Sequence, residues 1–133
     1  MIILPDTYRF KVLNQCGQTV GANQVKVYAK RYKFDSTGAL SYESVEATTL
    51  DNGSTIATGA YSAGTTQDNT SNKYIGGTFM FVVTAPASAN GNITLFVERS
   101  TDAGSNFDTD GVGDMIAVLN FTTSGTKRKS FQL

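Results

Sequence analysis

The stretch TFMFVVTA, Thr78 to Ala85, is apolar at nearly every position. A short run of this kind, rich in Phe and Val, reads as a strand covered on both faces, in the middle of a sandwich. PASANGN follows and closes it as a loop. Next comes NITLFVERS, where Ile93, Leu95 and Val97 fall on one face and Thr94, Phe96 and Glu98 on the other. That two-residue period is the mark of a strand with one face on a core. DMIAVLNFT supplies a further apolar strand, and TSGTKRKSFQL a turn and a last strand.

Upstream, Tyr8, Phe10 and Val12 alternate with Arg9 and Lys11, which predicts a first strand over Tyr8 to Leu13. QVKVYAKRYKF, Gln24 to Phe34, sets Val25, Val27 and Ala29 against Tyr28, Tyr32 and Phe34, with Lys26 and Lys30 on the aromatic side. The pattern leaves open which side is buried; lysines that snorkel around half-buried rings are the expectation. FDSTGAL reads as a turn centred on Ser36 to Gly38. ESVEATTL is a strand whose hairpin turn is expected at Asp51 to Gly53, with TIATGAY as its partner. The polar run SAGTTQDNTSNKYIGG, residues 62–77, is expected as one long exposed loop and a contact surface. About eight short strands without a helical pattern predict an all-β chain. The expected fold is a single-domain antiparallel β-sandwich over residues 1–133, of jelly-roll or immunoglobulin-like type.

Composition agrees with this class and narrows the chemistry. The chain has 133 residues, enough for one domain with its own core, and only 17% of them are charged. Thr, Ser, Asn and Gly take the remaining polar positions, which favours strands and turns. Eleven basic and eleven acidic residues cancel, so no global field draws the chain to nucleic acid or to an acidic membrane. There is no histidine, which excludes Ser-His-Asp and Cys-His catalysis and most zinc sites. Cys16 is the single cysteine, so no internal disulfide forms. The opening MIILPDTYRF lacks a basic stretch and breaks at Pro5, and is expected to be neither signal peptide nor anchor, with synthesis in a cytoplasm.

One motif invites a catalytic reading. STDAGSNF, Ser100 to Phe107, resembles the Asp-box of sialidase propellers and other β proteins, a Ser-x-Asp-x-Gly-x-x-aromatic pattern with Phe107 where Trp is commonest. The resemblance implies a turn: Ser100 and Asp102 cap backbone N–H groups, Gly104 takes a positive φ, and Phe107 packs beneath. The chain is too short for a propeller, and no catalytic residue is expected. Just beyond, Asp108, Asp110 and Asp114 in DTDGVGD form a weak candidate calcium site, but their spacing misses the EF-hand loop. Solvated turn aspartates are the expectation, with no metal and no cofactor. Lys127, Arg128 and Lys129 are the one concentration of positive charge and read as a solvated edge strand.

The segments GNITLFVERSTDAGSNFDTDG and VLNFTTSGTKRKSFQL, about the last third of the chain, are similar to small β-sandwich virion proteins of tailed bacteriophages. The resemblance implies a structural component of the particle: a decoration or cement protein that binds across neighbouring capsomers, in many copies or as a homo-oligomer. Its partner would be the major capsid protein or another virion protein. Ile2, Ile3 and Leu4 of the apolar opening, with Asn69, Lys73 and Tyr74 of the 62–77 stretch, are the expected contact residues. A neck, collar or tail component is the first alternative. A carbohydrate-binding module using Tyr28, Tyr32, Tyr42 and Tyr61 is the second, although the absence of Trp weighs against it.

Overall fold

The computed structural model describes residues 4–133, and all regular structure among them is β. In chain order the strands are β1 (Thr7–Gln15), β2 (Val25–Phe34), β3 (Leu40–Tyr42), β4 (Ala47–Asp51), β5 (Tyr61–Ala63), β6 (Gln67–Asp68), β7 (Gly76–Ala85), β8 (Gly91–Arg99), β9 (Asp114–Phe121) and β10 (Gly125–Gln132). They form two five-stranded antiparallel sheets that pack into a sandwich. The first has the order β5-β1-β8-β9 with β6 also on β1; the second has the order β10-β7-β2-β3 with β4 also on β2.

Ten strands replace the expected eight because two edge lines are broken. β6 pairs with Thr7 and Tyr8 of β1 while β5 pairs with Lys11 to Leu13. Likewise β3 pairs with Tyr32 to Phe34 of β2, and β4 with Lys26 to Ala29. The first break falls beside Gly64, where an added Cβ would lie 2.5 Å from the Thr49 carbonyl oxygen. Only glycine lets the backbone pass that close. The second break holds Glu43, whose N–H donates to Arg31 O at 2.8 Å and whose carboxylate accepts from the Arg31 side chain.

Two sequence expectations need correction here. DNG is not a hairpin turn between β4 and TIATGAY. The Asn52 side chain accepts from Val25 N at 2.8 Å and donates to the carbonyls of Gly21 and Ser54, so it ties the end of β4 to the start of β2. The chain then crosses to the other sheet, where Tyr61–Ala63 pairs with β1. The 62–77 stretch is largely exposed as expected, but it is not one continuous loop. It contributes the end of β5, all of β6 and the start of β7. Asn69 is 4% exposed and organises the rest: its Oδ1 accepts from Tyr74 N and its Nδ2 donates to Tyr74 O, both at 2.7 Å.

The core lies between the sheets. Tyr8, Phe10 and Val12 of β1 and Ile93, Leu95 and Val97 of β8 meet Val25 and Val27 of β2 and Phe79, Phe81 and Val83 of β7, all essentially without solvent contact. Thus the Val/Ala face of β2 is the buried one, and Tyr28, Tyr32 and Phe34 point outward. β7 lies between β10 and β2 at the centre of its sheet, but it is not covered on both faces as expected: Phe79, Phe81 and Val83 enter the core, while Thr78 is exposed and Met80, Val82 and Thr84 are only half-buried on the outer face. Phe10 meets the rings of Phe79 and Phe131 edge-on at centroid distances of 5.3 and 6.0 Å, and the latter two stack at 5.2 Å. This aromatic trio joins β1 of one sheet to β7 and β10 of the other.

Candidate functional site

Four places hold the polar and exposed groups from which a function has to be built. At one end of the sandwich, the segment before β1, the β6–β7 turn and the start of STDAGSNF converge on a hollow of about 530 Å³. Asp6, Thr7, Thr70, Arg99, Ser100 and Thr101 line it. Its charged groups are already paired: Arg99 Nη2 contacts Asp114, and Lys73 Nζ lies 3.8 Å from Asp6. Such a hollow offers hydroxyls but no activated nucleophile or base.

The STDAGSNF turn borders this hollow. Asp102 Oδ1 accepts from Ser100 Oγ at 2.7 Å and from Asn106 N at 2.8 Å, and Oδ2 accepts from Asn106 Nδ2. The Asn106 bonds foremost, together with the Ser100 hydroxyl, hold the Asp102 carboxyl down at about 2. Ser100 Oγ in turn accepts from Gly104 N at 2.9 Å, Gly104 has φ +92°, and the Phe107 ring carries the Arg9 guanidinium 4.0 Å above its centroid. Every one of these groups shapes the loop. The turn opens residues 100–113, a strap that folds back over the outer face of the first sheet.

Under the strap is a charged cluster that sequence reasoning passed over. Glu98 of β8 has no solvent exposure; its Oε1 accepts from Arg9 Nε at 2.8 Å and its Oε2 lies 3.8 Å from Lys11 Nζ. Lys11 Nζ also contacts Asp110 of the strap. The three aspartates of the candidate calcium site are therefore spoken for: Asp108 accepts from Arg99 N at 3.0 Å, Asp110 faces Lys11, and Asp114 faces Arg99. Among the described residues no group of three acidic, Cys or His side chains converges on a common point. The glycines of DTDGVGD permit close approach. A Cβ on Gly113 would stand 2.6 Å from Val97 O and 3.1 Å from Glu98 Cγ. The signal available in the sequence was a lone acid inside the apolar run ITLFVE.

A second cluster links the sheets. Arg31 of β2 donates to both Glu43 carboxylate oxygens, at 2.9 and 2.7 Å, and through Nη1 to Tyr8 Oη and Gln67 Oε1. Burial works against the Arg31 charge, but the Glu43 and Tyr8 bonds outweigh it and raise its pKa above the ordinary value. Burial likewise opposes the Glu43 charge, and Arg31 overcomes it, holding that carboxyl below its usual range. The Tyr8 hydroxyl is pushed up by burial.

Of the expected contact residues, Ile2 and Ile3 lie outside the described residues. Leu4 is 5% exposed and belongs to the core. Asn69 is the internal hub described above, and Tyr74 packs against the core beneath Arg31. Lys73 alone of the described ones stands in solvent. No family model, no curated protein and no solved structure matches this chain.

Among the described residues seven large apolar side chains are exposed; Val112 and Met115 lie on the strap and β9, and Phe34, Leu40 and Tyr42 gather on the outer face of the second sheet. Phe34 pairs across strands with Leu40, and Tyr32 with Tyr42. Phe34 is 60% exposed, Leu40 48% and Tyr42 56%. The half-buried Tyr28, Met80 and Val82 extend this face across β2 and β7. Lys26, Lys30 and Arg128 share it; among these Lys26 has Asp51 at 3.8 Å. An apolar strip with cationic neighbours on an open sheet is a candidate contact surface.

Proposed function

We propose that this chain is a non-catalytic structural protein of a virion, a capsid decoration protein. It docks onto the shell across neighbouring subunits through the outer face of the β10-β7-β2-β3 sheet. The observation that supports docking is the cross-strand patch of Phe34, Leu40 and Tyr42 on the β2–β3 ladder. Monomeric proteins seldom leave three large apolar side chains side by side in water. The surrounding Lys26, Lys30 and Arg128 favour a partner with an apolar ridge edged by carboxylates. The resemblance of the last third of the chain to phage sandwich proteins supports the setting. Sugar stacking is the weaker reading, because the Tyr32 and Tyr42 rings are tilted by 56° and Tyr61 sits on the other sheet, so no flat platform is formed.

The test uses purified particles and a Phe34→Ser, Tyr42→Ser double variant. The wild-type chain is expected to sediment with the particles in fixed proportion to the major shell protein. The double variant, with an unchanged circular dichroism spectrum, should bind at least about tenfold more weakly, since exposed aromatic anchors each contribute about 1–2 kcal/mol. A few copies per particle would move the chain to the neck or tail. Its absence from particles would sink the proposal.

A further inference from the structure

The cluster under the strap has the makings of a covalent cross-link. Lys11 Nζ touches the Asp110 carboxylate, and the two residues are 99 positions apart in sequence. Glu98 stands behind them with its side chain 1% exposed, and its Oε2 has no hydrogen-bond partner among the described residues. A buried carboxylate oxygen left without a donor is costly and rare in native proteins. Here the missing donor is 3.8 Å away, on Lys11, which is turned to Asp110 instead. Lys26 and Lys73 each have one carboxylate within 4 Å; Lys11 has two. Its Cα partners across the ladders are Phe96 and Ala63, the Tyr61 ring is 5.7 Å from Nζ, and the lysine side chain is only 13% exposed. Gly111 brings the strap against the Tyr61 hydroxyl, which would be 2.9 Å from an added Cβ.

We propose that Lys11 and Asp110 condense to an amide that joins β1 covalently to the strap, with Glu98 as the proton carrier. The Lys11 ammonium gives a proton to Glu98 Oε2, and the free amine attacks the Asp110 carboxyl carbon. The tetrahedral intermediate expels one carboxyl oxygen as water, which takes the proton returned by Glu98 and a second proton from the nitrogen. One C–N bond forms and one C–O bond breaks. No electrons are transferred, and Glu98 ends ionised as it began. The driving factor is placement: groups fixed in contact react with effective molarities of about 10⁵–10⁸ M, which offsets the ordinary preference for hydrolysis in water. The cross-link is independent of the docking surface, which lies on the other sheet.

The test is the intact mass of the purified, denatured chain beside that of its Lys11→Arg, Glu98→Gln and Asp110→Ala variants. The expected result is a wild-type chain lighter by one water than its sequence requires, with a branched peptide containing both Lys11 and Asp110 after digestion. All three variants should show their full sequence mass. Asp110 is half-exposed, so its alanine variant keeps the comparison valid if substitution at buried Glu98 prevents folding. A wild-type chain at full mass with no branched peptide overturns the proposal. So does a water loss that persists in Lys11→Arg, which belongs to a succinimide at Asp110–Gly111.

Discussion

Replacing Phe10 by Ala is expected to lower the unfolding free energy by about 4 kcal/mol, the typical cost of deleting a buried phenyl ring. Phe10 has no solvent exposure, and its ring is held edge-on by Tyr8, Phe79 and Phe131. The loss has two parts. The ring's transfer from water is forfeited, and a cavity remains because the surrounding strands are pinned by ladders on both sides. β1 is paired with β8 along its length and with β5 and β6 on its other edge, so it cannot sink into the gap. Urea denaturation would show a lower midpoint at unchanged slope. Because whole domains are stable by only about 5–15 kcal/mol, a substantial part of the margin goes. A loss under about 1 kcal/mol would mean that the aromatic trio does not join the sheets as described.

Arg31→Ala is the second large effect, with an expected loss of about 3 kcal/mol. The truncation strips Glu43 of its bidentate partner and leaves the Tyr8 hydroxyl and the Gln67 side chain without their donor. Both charged side chains are nearly buried, at 12% and 11% exposure, so water does not fully replace the missing guanidinium. Arg31→Lys should recover only part of the loss, since an ammonium has no planar fork to match the carboxylate. The same pair sets an acid limit. Arg31 lowers the Glu43 pKa below its unfolded value of 4.5, so the pair's contribution is complete above that pH. It drains away as the pH falls through the depressed folded value. An acid titration of the wild-type chain should therefore show a stability drop below 4.5 that is absent in Glu43→Gln. Equal slopes in the two proteins would sink this assignment.

The sandwich was legible because strand patterning is local. TFMFVVTA, the alternation in β1 and β8, and the FDSTGAL turn each carry their reading within ten residues or fewer. Asp35 indeed closes that turn, with Oδ1 accepting from Thr37 N and Ala39 N. The failures were non-local. DNG has the letters of a hairpin, and only the bonds from Asn52 to Val25 and Gly21 redirect it. The 62–77 stretch is largely exposed, as its polar residues suggest, and what no local pattern announced is the buried hub at Asn69 and the pairing of Gln67 and Asp68 with β1. Glu98 and Lys11 are separated by most of the chain and meet only through the β1–β8 register. No periodicity could have announced the outer-face patch as a contact surface, because the same rings would suit a buried face.

The broken edge lines bear on how copies of this chain meet one another. A sheet edge is a row of unpaired donors and acceptors, and a long straight one templates growth by neighbouring molecules into fibrils. Here the β1 flank is covered by strands of three and two residues, and the β2 flank by strands of three and five. Neither piece is long enough to align a second chain in register. On the opposite flank β10 spans eight residues but carries Lys127, Arg128 and Lys129 in succession, which would repel their own image. These three edges thus discourage strand-by-strand association between copies of the chain.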